Sequence, residues 1–529
     1  MNIPRLVIAG TQSHVGKTSL TLGLVTLLRR RGLRVQTFKV GPDYLDPTYL
    51  ARASGQPCYN LDGWMMGRAH VETLFRRASA TADIAVIEGV MGLFDGADPA
   101  TAEGSTAEIA RWLDAPVLLV VNAHGMARSL AAVVHGCVTF DPLLRVAGVI
   151  ANRCGSERHA RWLCESLKAA VLPPLLGHVE RESLPELPSR HLGLVTADPA
   201  NLPPALLDQL ADSLQSGLSL DTILQAARQA PQLPDLAATA QLNPPLTPAL
   251  SPSGGEREVP HSPPGSSRHS AASITEKHDS LSPSDGERAR VRGPRGQREC
   301  GFDTPSAPAA QTSCRLGIAR DEAFHFYYPD NIEALEQAGC ECVPFSPIKD
   351  SALPPNLNGL YFGGGYPEEH AAALAANQGL LQNIRRFAAA GGWIYAECGG
   401  LMYLAEGIET GDGARHAMLG LLPAWTRMCQ RRQSLGYVEV TLNLDSLWGR
   451  RGDCLRGHEF HYSELAGNPA ADSQWQTAYS VKRRQSDAVA AEGFQRGRVL
   501  ASYAHVHLAS RPEAVRHVVA QLTETQPIP

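Results

Sequence analysis

The chain has 529 residues, 43% of them hydrophobic and 19% charged, with a formal net charge of −5. That length is material for roughly three domains at about 150 residues each, and the slight acidic excess excludes a protein that grips nucleic acid by neutralising phosphates. No run approaches the roughly 20 apolar residues of a membrane span, and 11 scattered cysteines do not make a disulfide framework, so a reduced, cytoplasmic enzyme with no membrane partner is expected.

The N-terminus, MNIPRLVIAGTQ, has one Arg and a short apolar run that turns into a polar, Gly-bearing loop. This is the pattern of a buried first strand rather than a signal peptide. Leu6–Ala9, Ala85–Ile87, Val117–Val121 and Val146–Ala151 are apolar runs spaced by helical stretches, which predicts an α/β domain with a doubly wound parallel sheet over residues 1–230.

The first strand leads into Gly10-Thr11-Gln-Ser-His14-Val-Gly16-Lys17-Thr18 and then a helical pattern, Leu20–Arg30. An ordinary P-loop has Gly five positions before the Gly of its Gly-Lys pair. Here Thr11 holds that position and the glycine lies one earlier, at Gly10. The strand–loop–helix context still aims backbone N–H groups and a helix N-terminus at phosphate oxygens. Lys17 would meet the β- and γ-phosphates of ATP, and Thr18 would ligate Mg²⁺. No GxGxxG occurs in this block, which disfavours a dinucleotide fold.

Phe38-Lys-Val-Gly-Pro-Asp43-Tyr-Leu45-Asp46-Pro47 follows the second strand. Two carboxylates in a Gly/Pro loop can point into a site, or can form an Asp-rich turn. Glu88 closes the run Ala85–Ile87 at its carboxyl end, where P-loop enzymes hold Mg²⁺ and where ligands of open α/β sheets sit. The plainer alternative is a cap for the next element. Asn122 ends Val117–Val121, and an amide there is no base and no strong metal ligand. Asn152, after Val146–Ala151, fits either a nucleotide contact or a turn cap.

Residues 231–313 are rich in Pro, Ser, Gly and charge, with few large apolar side chains. Such a stretch cannot bury enough surface to offset its ordering entropy, so a disordered linker is expected. It carries a near-repeat, Leu250–Arg257 and Leu281–Arg288, too few copies for a solenoid. Residues 314–525 return to the α/β style with Leu316–Ala319, Gly359–Phe362 and Trp393–Ala396.

Cys398, in Trp393-Ile-Tyr-Ala-Glu397-Cys398-Gly399-Gly400, sits between an apolar run and a helical one. A tight turn at a helix N-terminus exposes the sulfur and favours the thiolate. Gly363-Gly364-Gly365 follows another strand and offers N–H groups for an oxyanion hole. Ala501-Ser-Tyr503-Ala-His505-Val-His507 supplies a base. His458 with His461, and His505 with His507, also invite a metal reading, but no HExxH and no zinc-spaced Cys pair occurs. Cys340-x-Cys342 reads as strand packing.

On these motifs the first block resembles the amidoligase branch of the P-loop family, with dethiobiotin synthetase, corrinoid amidases and partition ATPases. GTQSHVGKT, FKVGPDYLDP, NLDGWM, IEGVMGLFDG and RHLGL are similar to the cobyrinic acid a,c-diamide synthase family. The resemblance implies that Thr18, Asp43 and Glu88 are the Mg²⁺ and nucleotide residues. It implies that Asp43, Leu45, Asp46, Glu88 and Asp95 line the ATP and acyl-phosphate site, and that Asn152 lies on the adenine side. Arg190 and His191 match a further signature without an assigned role. His14 departs from the family, which has a small residue there.

The order of Gly-rich loop, Cys turn and distal His resembles a class I glutamine amidotransferase, which forms a glutamyl thioester on its Cys and releases ammonia. The usual ending is His-x-Glu. Here the third position is His507, a departure shared by the cobyric and cobyrinic synthases, so the carboxylate that would orient His505 is absent and a dyad with modest glutaminase activity is expected. Another residue or the acceptor site would have to take over that role.

Two doubly wound domains joined by a linker are therefore expected, acting together as a ligase. The resemblance implies amidation of the a and c acetates of cobyrinic acid through acyl phosphates, with c before a, in cobalamin biosynthesis. Its small-molecule partners would be the corrinoid polycarboxylate, ATP and glutamine, and a homodimer is left open. The same reaction on metal-free hydrogenobyrinic acid, and the cobyric acid synthase reaction, are the alternatives. A partition-type ATPase would leave Cys398 and His505 without purpose.

Overall fold

Every residue of Arg5–Gly10 (β1) is buried, which a strand tolerates only when both faces of its sheet are covered. Alternation along β1 shows the two faces. Leu6 and Ile8 pack into one core with Leu20, Leu24 and Leu28 of the following helix. Val7 and Ala9 pack into the other, with Trp64, Phe75 and Ile109. The period of two puts successive side chains on opposite sides.

The computed structural model describes residues 3–190, 193–194, 202–234, 314–484 and 486–528. Of the linker expected over residues 231–313, residues 231–234 belong to the first block, with Leu233 buried in its core, and residues 235–313 lie outside the described residues, as do His191 and the side chain of Arg190.

In the first block, β1 is joined by Val35–Val40 (β2), Tyr59–Leu61 (β3), Ile84–Glu88 (β4), Val117–Asn122 (β5), Val146–Cys154 (β6) and Leu175–Glu180 (β7). The order is β3-β2-β4-β1-β5-β6-β7, and all pairs are parallel. Helices Lys17–Arg30 (α1), Asp46–Ser54 (α2) and Gly63–Ala78 (α3) connect the early strands. The strands β1, β2 and β4 are neighbours, so their carboxyl ends bring the P-loop, the Asp43–Asp46 loop and Glu88 to one place.

The second block has a ten-stranded sheet. Its parallel half contains Cys314–Ala319 (β8), Cys340–Phe345 (β9), Gly359–Phe362 (β10), Trp393–Glu397 (β11) and a late strand, Val499–Ser502. The other half is antiparallel and runs through Val489–Arg496, Gln476–Arg483, Ser434–Leu442 and Cys454–His461 to His505–His507. The spacing of apolar runs signals the parallel half and not this extension, whose longer strands mix buried with partly or fully exposed residues. Cys340 is buried in β9 and pairs in register with Cys314, so the Cys-x-Cys segment is strand packing.

The described residues of both blocks belong to one compact unit. No helix among the described residues is long and apolar enough to cross a membrane.

Candidate active site

The P-loop turns on Gly16, whose φ is 91°, a conformation that costs glycine little. A Cβ built there would lie 2.4 Å from Asn152 Nδ2. That amide donates to Val15 O at 2.8 Å, and its carbonyl accepts from Arg153 N at 2.9 Å. The amide of Asn152 therefore braces the loop from β6, and its carbonyl is held by the next residue of its own strand. Gly10 is the last residue of β1, and Thr11 N continues the ladder to Val120 O at 3.1 Å. His14 is exposed, with a left-handed φ of 60°. Asn122 Oδ1 accepts from His124 N at 3.1 Å, a turn role.

Lys17 begins α1 and is buried. Its Nζ donates to Met91 O at 2.5 Å and to Gln12 O at 3.4 Å. Burial, reinforced by the Lys39 charge, pulls its pKa below the ordinary value. This makes the ammonium ready to gain from anionic phosphate. Thr18 Oγ1 donates to Glu88 Oε1 at 2.9 Å.

Glu88 has no exposed surface, and its second oxygen, Oε2, is buried without a hydrogen-bond partner. Burying a carboxylate is costly unless it is paired. The partner here is Lys39, itself buried in β2, with Nζ 2.7 Å from Glu88 and 2.5 Å from Asp46. Burial still raises Glu88 above its usual pKa, with Lys39 working against the shift. Burial also opposes the Asp46 charge, yet Lys39 outweighs it and holds Asp46 below the ordinary value. Asp43 is pushed up to about 7 by burial and by the nearby Asp46. Its Oδ1 accepts from Leu45 N at 2.8 Å and Asp46 N at 2.9 Å. Leu45 is the N-cap of α2, and Asp46 opens it. Asp95 lies at an exposed turn and accepts from Gly92 N at 2.9 Å.

The geometry thus gathers Lys17, Thr18, Asp43, Asp46 and Glu88 around Lys39. The spacing of motifs leaves Lys39 unassigned. Its signal is a lone ammonium inside an otherwise uncharged strand, Val-Gln-Thr-Phe-Lys-Val, buried at every position.

The second constellation centres on Cys398, at φ 49° and ψ −103°, between β11 and the helix Gly399–Leu404. A non-glycine residue in the left-handed half of the map is strained, and such strain collects at reactive turns. The thiol lies 3.7 Å from Phe460 O. His505 is buried, with Nδ1 3.5 Å from Glu397 Oε2 in an ion-pair contact, and Cys398 and Glu397 are its electrostatic partners. Burial opposes the imidazolium, but those two partners outweigh it and push His505 up to about 10.

Gly364 packs against that imidazole. A Cβ there would meet His505 Cε1 at 2.5 Å. Of the expected oxyanion donors, Gly363 N–H is engaged with Tyr327 Oη at 2.8 Å, while Gly364 and Gly365 face Phe326 and Phe324 in a short ladder. The segment Arg456–His461 lies beside the base, with His458 opposite His505. Burial, then the His505 charge, lowers His458 to about 3. His461 stacks on Tyr503 at 4.0 Å. His507 pairs with Asp330 at 3.3 Å, which in turn lies 3.2 Å from His70 of α3. Among the described residues no cluster of three or more His, Cys, Asp or Glu is arranged to hold a metal.

The two constellations meet through Tyr44, between Asp43 and Leu45. Its ring lies 4.9 Å from the His505 ring, 4.7 Å from Tyr328 and 5.1 Å from Phe326. The segment Asn60-Leu-Asp62-Gly-Trp64-Met is a second junction. Asp62 caps α3 through Met65 N at 2.7 Å and accepts from Tyr437 Oη at 2.7 Å. Trp64 packs on Tyr437 at 4.9 Å, with the Arg456 guanidinium 4.9 Å from its ring.

Two family models match the chain. The CobQ/CobB/MinD/ParA nucleotide binding domain covers residues 6–195, and the CobB/CobQ-like glutamine amidotransferase domain covers residues 315–513. A cobyrinate a,c-diamide synthase of Syntrophotalea carbinolica is 54% identical over 519 residues, 98% of each chain. Proteins of the same name from Leptospira interrogans and Salmonella typhimurium are 40% and 37% identical, each over 97% of both chains. With a nucleotide-binding block, an amidotransferase block and full-length identity of this order, the chain belongs to the cobyrinate a,c-diamide synthase family.

Proposed function

We propose that this chain amidates the a and c acetate carboxylates of cobyrinic acid, using ATP and glutamine, in cobalamin biosynthesis. The observation that carries the reading is the Tyr44 contact. One loop bears the Asp43 and Asp46 carboxylates of the phosphate site and lays an aromatic ring on the base of the thiol site. Residues 1–230 serve as the amidoligase domain, residues 231–313 join the two, and residues 314–525 serve as the amidotransferase.

A carboxylate does not react with ammonia until one oxygen becomes a good leaving group. The substrate carboxylate therefore takes the γ-phosphoryl of ATP, giving an acyl phosphate and ADP. Lys17 and the P-loop N–H groups stabilise the charge spread over the phosphate oxygens. Thr18 and Glu88 fit Mg²⁺, since the Glu88 oxygen without a partner and the Thr18 hydroxyl are hard donors of the kind it takes together with substrate phosphates. Mg²⁺ bound there would neutralise phosphate charge. Asp43 completes that acidic set, and Asp46 holds Lys39 in place.

At the second site, Cys398 attacks the glutamine amide carbon and His505 takes the thiol proton. His505 then returns a proton to the leaving nitrogen, freeing ammonia, and water hydrolyses the thioester to glutamate. Ammonia displaces phosphate from the acyl phosphate and leaves the amide. Two such cycles give the diamide. A cytoplasmic setting supplies ATP, glutamine and a reduced Cys398.

Incubation with cobyrinic acid, ATP, Mg²⁺ and glutamine should yield a diamide by mass spectrometry, with one ATP consumed per amide. A parallel arm with metal-free hydrogenobyrinic acid assigns the ring. Absence of any amide from either ring overturns the reading. Cys398→Ala should lose the reaction with glutamine and keep it with ammonium chloride, while Lys17→Ala should lose both.

A further inference from the structure

The strand β11, Trp393-Ile-Tyr-Ala-Glu397, is apolar or aromatic until its last residue. Glu397 is 2% exposed. A carboxylate is not held there without partners that repay its desolvation. Four groups face it. Tyr395 Oη donates to Oε1 at 2.7 Å, Val506 N donates to Oε1 at 3.2 Å, and Tyr361 Oη donates to Oε2 at 2.8 Å. The fourth is the His505 ring, with Nδ1 3.5 Å from Oε2. Among the described residues this is the one ion pair that His505 makes. Glu397 thus holds the base twice, by its ring and by the backbone N–H of the next residue.

His507, two places after the base, cannot do this work. It has no carboxylate, and its Nε2 is turned to Asp330. We infer that Glu397, the residue immediately before the nucleophile, is the positioning carboxylate of the thiol site. It pairs with His505 Nδ1 across 3.5 Å, which leaves Nε2 to exchange the proton with Cys398 and then with the departing nitrogen. When His505 takes the thiol proton, the positive charge forms beside a carboxylate already in place, so nothing reorganises. The proton count is unchanged: it moves from sulfur to Nε2 and from Nε2 to ammonia, and Glu397 takes no part in the transfer. The two tyrosine hydroxyls and the Val506 N–H hold that carboxylate in place.

The inference rests on the reading of Cys398 and His505 as thiol and base. Its test is Glu397→Gln in the full chain, assayed with glutamine and with ammonium chloride, beside Glu397→Asp, Cys398→Ala and His505→Ala. For Glu397→Gln the glutamine-supported kcat should fall about a hundredfold, the lower range of a general base's contribution. The KM for glutamine and the ammonia-supported rate should stay within about twofold. The pH at which His505 loses its proton should move down in the pH profile, and Glu397→Asp should regain part of the rate. An unchanged glutamine-supported kcat, or an equal loss with ammonia, overturns the assignment. A second readout needs no folded Glu397 variant. With ¹⁵N-labelled histidine in the unsubstituted chain, His505 should carry a proton on Nδ1, and its absence overturns the assignment. If Cys398→Ala or His505→Ala keeps glutamine-supported activity, the reading of the thiol site fails. If both lose it while Glu397→Gln keeps it, the failure is confined to Glu397.

Discussion

Asn152 is a residue whose two readings lead to different measurements. As a brace it holds Val15 O, and with it the left-handed Gly16. As an adenine contact it would act on one base. Losing one such hydrogen bond costs about 1 kcal/mol, so Asn152→Ala should raise the KM for the nucleotide about fivefold. A brace predicts the same rise for GTP as for ATP. A loss confined to ATP would return Asn152 to the adenine side. Glu492 carries a pH prediction. Burial pushes it up to about 7 from an ordinary 4.5, although it accepts from Ser502 Oγ and Tyr503 N, both at 2.6 Å. Between those values the folded chain keeps a proton that the unfolded chain has released. Stability therefore falls as pH rises through that window and stays lower above it. Glu492→Gln should remove this dependence. Thermal unfolding should then show its Tm, relative to the unsubstituted chain, rising between pH 5 and pH 8. A difference that shrinks over that range rejects the buried Glu492 carboxyl as the cause.

At the scale of strands and turns, Gly364 shows how tightly the thiol site is built. Its missing side chain leaves room for a His505 ring that is almost wholly buried and has no space to retreat. Overpacking of this kind costs about 1–3 kcal/mol. Gly364→Ala should lower the glutamine-supported rate tenfold or more on that scale, leaving the ammonia-supported rate intact, and equal losses would place the damage elsewhere. The same elements show what the sequence makes readable. An apolar run ending in an acid marks Glu88, because a charge at the carboxyl end of a buried strand needs a reason to be there. Glu397 ends β11 in the same way, but the Cys beside it and the missing His-x-Glu acid mask the signal. Lys39 is unreadable from spacing because its partners, Asp46 and Glu88, come from a loop and a neighbouring strand. The antiparallel half of the second sheet is also hidden. Its longer strands mix buried with exposed residues, a weaker pattern than the continuous apolar runs of the parallel half.

Across the whole molecule, the proposed reaction requires that ammonia made at Cys398 reach an acyl phosphate near Glu88 before it escapes to solvent. The contacts that join the two blocks include the aromatic ones of Tyr44 and Trp64 and a set of polar ones. Asp62 accepts from Tyr437, Tyr59 Oη donates to Glu333 at 2.5 Å, and Arg77 pairs with Glu333 at 2.6 Å. Arg484 reaches Glu103, and Arg456 Nη1 donates to Trp64 O at 3.0 Å. All lie on described residues, so the segment 235–313 is not needed for any of them. Deleting residues 240–305 should accordingly leave diamide formation within about twofold, and a collapse of activity would give that segment a role. Loosening the junction is the sharper test. Tyr437→Phe removes the donor to Asp62, and Asp62→Ala also removes the cap of α3, worth about 1 kcal/mol. Neither side chain touches the P-loop, Cys398 or His505 in any hydrogen bond. Ammonia-supported amidation and glutamine hydrolysis should each persist in Tyr437→Phe. What should change is their ratio, with more glutamate released than amide formed, because ammonia leaks where the blocks part. Glutamate and amide measured in one reaction give that ratio directly. A ratio that stays at one, with both rates reduced together, would show that the Tyr437–Asp62 contact supports folding rather than transfer.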